Sequence, residues 1–203
     1  MGARQRTQVR KVVGTQGTAP TILGLGALVA LAGDACHVAS GTTRYEWAGV
    51  PTIWRSAIWF PILVAGGVLA LAYLGHRLRD RLPAVRERGR RDVIAGAAAV
   101  LGLYAVTAAL RGQPVTVSTV LVSSLAVAIW GWWDPSPGAA LAGAIAAVTG
   151  PLAEIVIVAV GAASYATNAD ELAGVAPWLP GLYFAAGAVA FRLWDALSED
   201  PRG

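Results

Sequence analysis

A chain of 203 residues with 56% hydrophobic and 14% charged side chains is too apolar for a soluble domain, in which about a quarter of the residues are charged. Its net charge of +4 reads as membrane orientation and contact with anionic lipid, which argues against a nucleic-acid partner. The single cysteine, Cys36, excludes a disulfide framework within a monomer.

The chain opens with Arg4, Arg6, Arg10 and Lys11 ahead of an apolar stretch. About twenty apolar residues without an A-x-A-like cleavage site fit an uncleaved first span better than a signal peptide. Six stretches, 20–39, 56–75, 93–110, 114–133, 138–161 and 177–196, are long enough to cross a hydrocarbon core of about 30 Å at about 1.5 Å per residue. The expected fold is an all-α membrane protein, a six-transmembrane helix bundle. It divides into a basic segment 1–19, a membrane domain 20–197 and a tail 198–203.

With six spans, the termini, the 76–92 loop and the 134–137 turn lie on one side. That side holds thirteen of the sixteen arginines and lysines, leaving Arg44, Arg55 and Arg111 on the other. The positive-inside rule then places both termini in the cytoplasm of a multi-pass cell-membrane protein. Trp47, Trp54, Trp59 and Trp178 are expected at the outer interface, and Trp130, Trp132, Trp133 and Trp194 at the inner one. Ala139, Gly143 and Ala147 form a small-residue stripe in the fifth span that permits close helix packing.

Ionisable groups in hydrocarbon each need a partner or a purpose. In the first span Asp34 and His37 are three apart and share a helix face. One short helical run rarely supplies more than two metal ligands, so a buried polar pair, met by Arg44 or Arg55 from the next loop, is expected instead of a metal site. His76 falls in the basic loop without an obvious partner. Between the fourth and fifth spans, "IWGWWDPSPGAALAG" at 129–143 reads as a helix end followed by a new helix. Asp134 is the expected N-cap, Pro135 the first helical residue, and Ser136 lies in the first turn.

In the fifth span Pro151 removes a backbone donor and bends the helix close to Glu154. A kink beside a buried acid suggests a ligand cavity. Arg192, one turn from the inner end of the sixth span, is expected to snorkel. No nucleophile-base-orienter set, phosphate-cradling glycine loop or paired carboxylate is evident, so neither catalytic residues nor a cofactor other than a bound lipid is expected.

Trp130 to Asp134, followed by Ser136 and Gly138, resembles the "WWTFDRSRSG" stretch of the Insig family of sterol-regulatory membrane proteins. "RSAIWFP" at 55–61 and "PWLPGLYFAAG" at 177–187 are similar to the family's "SSAWWVP" and "SWLPCIFFSGG". Tyr165 falls on the second tyrosine of its "VYQY". With a Gly, Ala and Arg bias typical of GC-rich genomes, the chain is identified as a bacterial member. The resemblance implies a non-enzymatic protein that binds an oxysterol within the bundle and then engages partner membrane proteins.

The resemblance gives Asp134 and Ser136 a second reading, contact with a membrane-protein partner, because the family's aspartate is needed for partner binding. The family's fifth-span glutamine falls on Ile157, and the second-span motif contains Trp59. The expected ligand site therefore comprises Trp59, Pro151, Glu154 and Ile157. "GDACHVASGTTRY" has no counterpart in the animal proteins. The expected function is binding of a sterol-like or neutral lipid such as diacylglycerol, with membrane lipids and further copies of the chain as partners. The alternatives are a small transporter using Asp34, His37 and Glu154 as a polar path, and a lipid-modifying enzyme with His37 as base.

Overall fold

The computed structural model describes residues 17–47 and 49–198. Arg4, Arg6, Arg10 and Lys11 and most of the expected tail lie outside the described residues. Among the described residues there are six helices: α1 (Thr18–Ser40), α2 (Trp59–Leu78), α3 (Arg90–Ala109), α4 (Val115–Trp133), α5 (Pro137–Ala159) and α6 (Leu179–Ser198). Helices α1 to α5 are long and apolar enough to cross a membrane.

α6 is less apolar because it carries Arg192 and Asp195, and its place in the bundle accounts for this. It packs against all five other helices, so protein rather than lipid surrounds most of it. Small residues make that centre possible. A Cβ on Gly75 of α2 would lie 1.9 Å from the Phe191 carbonyl oxygen, and one on Gly187 would lie 2.6 Å from Ala146 Cβ. The buried face of α5 runs through Ala139, Ala142, Gly143 and Ala146, giving α6 a backbone-close seat.

The loops at one end of the bundle contain short strands that the all-α expectation omits. β1 (Thr43–Tyr45) pairs antiparallel with β4 (Ala163–Tyr165), and β2 (Thr52–Ile53) pairs with β3 (Ser56–Ala57). The second hairpin turns through Trp54 and Arg55 at φ of 52° and 68°. The second helix consequently starts at Trp59 rather than 56, and reaches Leu78, so that His76 lies in its last turn and outside the basic loop.

Three further expectations are corrected. Ser136, not Asp134, is the N-cap of α5, its Oγ accepting from the Ala139 amide at 3.2 Å with Pro137 at the first helical position. Asp134 instead follows the end of α4 in extended conformation, φ −155°. Trp133 and Trp178 are buried core residues, whereas Trp47, Trp54 and Trp132 remain exposed. Arg192 does not snorkel: it is 4% exposed.

Candidate functional site

Arg192 is buried because it has a partner. Its Nε donates to Asp134 Oδ2 at 2.6 Å, and its second nitrogen donates to Ser136 Oγ and to the Leu82 carbonyl, both at 3.0 Å. Ser136 Oγ donates to Asp134 Oδ2 at 2.7 Å, while the Val85 and Arg86 amides reach Oδ1 at 2.9 and 3.2 Å. Asp134 thus ties the 79–89 loop and α6 to the α4–α5 turn. Burial opposes its charge, but the Ser136 hydroxyl, the guanidinium and the Val85 amide outweigh burial and hold the carboxyl below its ordinary value.

The basic loop folds back on the same turn. Arg88 Nε donates to the Trp133 carbonyl at 2.8 Å, and Arg86 donates to that of Trp132 at 2.6 Å. Cations thereby meet the carbonyl end of α4, where they are favoured. His76, which had no evident partner in the sequence, contacts Asp195 Oδ1 at 2.9 Å and stacks on Trp194.

The strand-bearing end holds most of the other buried polar groups. Asp34 and His37 share a buried face of α1, but their partners are separate. Asp34 Oδ2 accepts from the Tyr45 hydroxyl at 2.6 Å and from Ser56 Oγ, so hydroxyls stand where guanidinium groups were expected. These donors are the immediate neighbours of Arg44 and Arg55. Burial, then the Asp34 carboxylate, pushes the Tyr45 phenol up and keeps it a donor.

His37 Nε2 lies 2.7 Å from Thr107 Oγ1, which donates to the Tyr104 carbonyl at 2.7 Å. The threonine hydrogen is thus engaged, so Nε2 of His37 carries the proton and donates. Tyr104 and Trp178 flank the ring at 5.2 and 5.3 Å.

Glu154, buried in α5, accepts from two phenols. Tyr165 donates to Oε2 at 2.7 Å and Tyr183 to Oε1 at 2.8 Å. The β1–β4 pairing sets Tyr165 opposite Thr43, and Tyr183 comes from the first turns of α6. Burial, then the Glu154 charge, holds the Tyr165 phenol well above its ordinary value.

Next to this cluster is a cavity of about 230 Å³ walled by α1, α2, α3, α5 and α6. Leu25, Val29, Leu63, Val68, Ala186 and Leu193 are among its apolar walls, and only Tyr104, Thr149 and Tyr183 bring polar side chains to it. Thr149 spends its hydroxyl on the Ile145 carbonyl, and Tyr183 gives its own to Glu154. The Tyr104 hydroxyl makes no hydrogen bond among the described residues.

Pro151 and Glu154 are buried behind this wall, and Ile157 and Trp59 are half-buried; none of the four lines the cavity. Trp59 packs edge-on to Tyr45 at 5.7 Å. Gly150 and Ala153, the chain neighbours of Pro151 and Glu154 on α5, do line the cavity. The residues that sequence reasoning missed are Tyr45, Ser56, Tyr104, Thr107 and Tyr183. Polar side chains inside apolar spans were the available signal for the last three.

No family model matches the chain. It is 45% identical over 180 residues, 88% of its length and 86% of the relative's, to a protein of Mycolicibacterium vanbaalenii called INSIG protein homolog. Its structure is similar to the crystal structure of a mycobacterial Insig homolog from Mycobacterium vanbaalenii, with a TM-score of 0.83 and 40% identity across 92% of this chain and 97% of that one. It is similar also to a cross-linked R77C trimer of that homolog, with a TM-score of 0.82 and 41% identity over the same shares.

Proposed function

The chain belongs to the Insig family, and on that premise we propose that it is a non-enzymatic lipid-binding protein with a cavity for one neutral lipid. The polar head of the lipid lies against Tyr104 and Tyr183, and its apolar body against the walls from α1, α2 and α5. The observation that carries this reading is an apolar cavity whose polar wall includes one phenol without an internal partner, Tyr104. A ligand with a hydroxyl or ester head and apolar bulk matches both features, and diacylglycerol or a sterol has them.

Glu154 acts behind the wall as a positioning residue. By accepting from Tyr183 it fixes the phenol that faces the ligand. The transporter reading loses support because Asp34, His37 and Glu154 each have their own partners. The enzyme reading loses support because His37 is buried between two aromatic rings and does not line the cavity.

In this reading α6 is a sixth span at the centre of the bundle, both termini are cytoplasmic, and the strand-bearing end faces outward. Contact between copies is proposed as well, because the related homolog has been cross-linked as a trimer. Asp134, with no exposed surface, serves a partner only indirectly, by shaping the loop that partner would meet.

Mass spectrometry of lipid retained after equal purification of the wild type, Tyr104→Phe, Glu154→Gln and Glu154→Leu tests the reading. Retained neutral lipid, reduced in Tyr104→Phe and in Glu154→Leu but largely kept in Glu154→Gln, is the expected result. Equal retention by all four proteins would remove the phenols and Glu154 from the site.

A further inference from the structure

The apolar cavity is bounded by helices alone: its wall residues belong to α1, α2, α3, α5 and α6, and none comes from the loops at either end. Three of those wall residues are also exposed on the outside of the bundle. They are Leu63, 50% exposed, and Gly67 on α2, and Thr149 on α5. The cavity therefore opens sideways, between α2 and α5. Leu63 and Gly67 lie about one and two turns from the strand-bearing end of α2, and Thr149 about three turns from the same end of α5. At that depth the opening faces the hydrocarbon of a bilayer rather than water.

The two helices touch little, and small residues decide where the space between them is filled. Towards the end away from the strands it is filled by Phe191 of α6, 1% exposed, whose backbone lies against Gly75 of α2 and whose Cε1 would lie 2.6 Å from a Cβ on Gly138 of α5. Leu71 and Leu82 pack against the same cluster. Beside the opening, Gly67, Gly150 and Ala153 carry nothing longer than a methyl group into the cavity wall. Gly150 has no room for a Cβ because the Tyr183 ring lies against it, which sets that ring just inside the opening.

We propose that this gap is a lateral portal, through which a neutral lipid enters and leaves the cavity directly from the bilayer, passing between Gly67 and Thr149 and meeting the Tyr183 phenol first. The proposal rests on the neutral-lipid reading and adds the route to it. A path through either end of the bundle would bring the apolar body of the lipid into water, at a cost that grows with the area exposed. The lateral path keeps that body in hydrocarbon throughout.

Gly66 and Gly67 supply a matched pair for the test. Both are exposed and a Cβ on either meets nothing within 4 Å, yet only Gly67 lines the cavity. Uptake of radiolabelled dioctanoylglycerol, with cholesterol in a second arm, and its release on a chase of unlabelled ligand are measured on the full chain in detergent micelles. Gly67→Phe and, from the facing helix, Thr149→Phe should slow both uptake and release roughly tenfold, as a gated step does, whereas Gly66→Phe should exchange like the wild type. Exchange as fast in Gly67→Phe and Thr149→Phe as in Gly66→Phe, or faster release in both, would overturn the portal while ligand bound by the wild type left the neutral-lipid reading standing. A wild type that takes up neither probe would overturn both.

Discussion

Replacing Arg192 by leucine leaves Asp134 buried without its cation. Loss of one partner of a buried ion pair costs about 3–5 kcal/mol. The carboxylate keeps the Val85 and Arg86 amides and the Ser136 hydroxyl, which sets the expected loss at the lower end of that range. For a chain of this size each kcal/mol lowers Tm by about 2–4 °C, so a fall of roughly 6–12 °C is expected. Asp134→Asn is the sharper probe. It preserves shape but turns one acceptor into a donor facing Arg192 or the loop amides, so its cost should approach that of Arg192→Leu and exceed the roughly 1 kcal/mol of a lost helix cap. Thermal unfolding of purified protein in one detergent gives both numbers. If either variant unfolds within about 0.5 kcal/mol of the wild type, the range of an ordinary surface change, the tie is not what holds this turn.

The same carboxylate predicts an acid response. Its folded pKa lies below 3.8, so its stabilisation is complete above that value and is lost as pH falls through the lower, folded one; Asp134→Asn should remove that part of the acid transition. Thr107→Val deprives His37 Nε2 of its acceptor and should cost about 1–3 kcal/mol, and a melting temperature equal to that of the wild type would show that the pair contributes nothing. On a Cys36→Ser background, cysteine at Asn168 should react with an impermeant thiol reagent in intact cells and cysteine at Glu87 should not. The reverse labelling would invert the proposed topology.

Hydrophobic length located the helices well, because a membrane imposes an apolar run of fixed minimum length on each span. The ends were less legible. The second helix starts late because Trp54 and Arg55 turn a two-residue hairpin, and no glycine marks that turn. In "DPSPG" two Xaa-Pro pairs offer nearly equivalent starts for α5, and the hydroxyl of Ser136 reaches the Ala139 amide where Asp134 is drawn away to Arg192.

That pair illustrates the larger limit. Asp134 and Arg192 are 58 residues apart, and nothing in either neighbourhood names the other. Local rules therefore assigned one to a cap and the other to the lipid interface. Glu154 was conspicuous as an acid in an apolar span, yet its two phenols come from a strand and from a different helix. The cavity was harder still to read, since its walls are drawn from five helices and consist mostly of residues that look like ordinary core.

Filling the apolar cavity tests whether it takes a neutral lipid. Ala186 lies on the wall, and a phenylalanine there would project a ring into a space of about 230 Å³. Neutral lipid extracted from purified wild type and from Ala186→Phe, normalised to protein and measured after addition of diacylglycerol or a sterol, gives the answer. Lipid bound by the wild type, and most of it lost in a variant that remains folded, is the expected result. Equal lipid in both proteins, or none in the wild type with either ligand added, would contradict it.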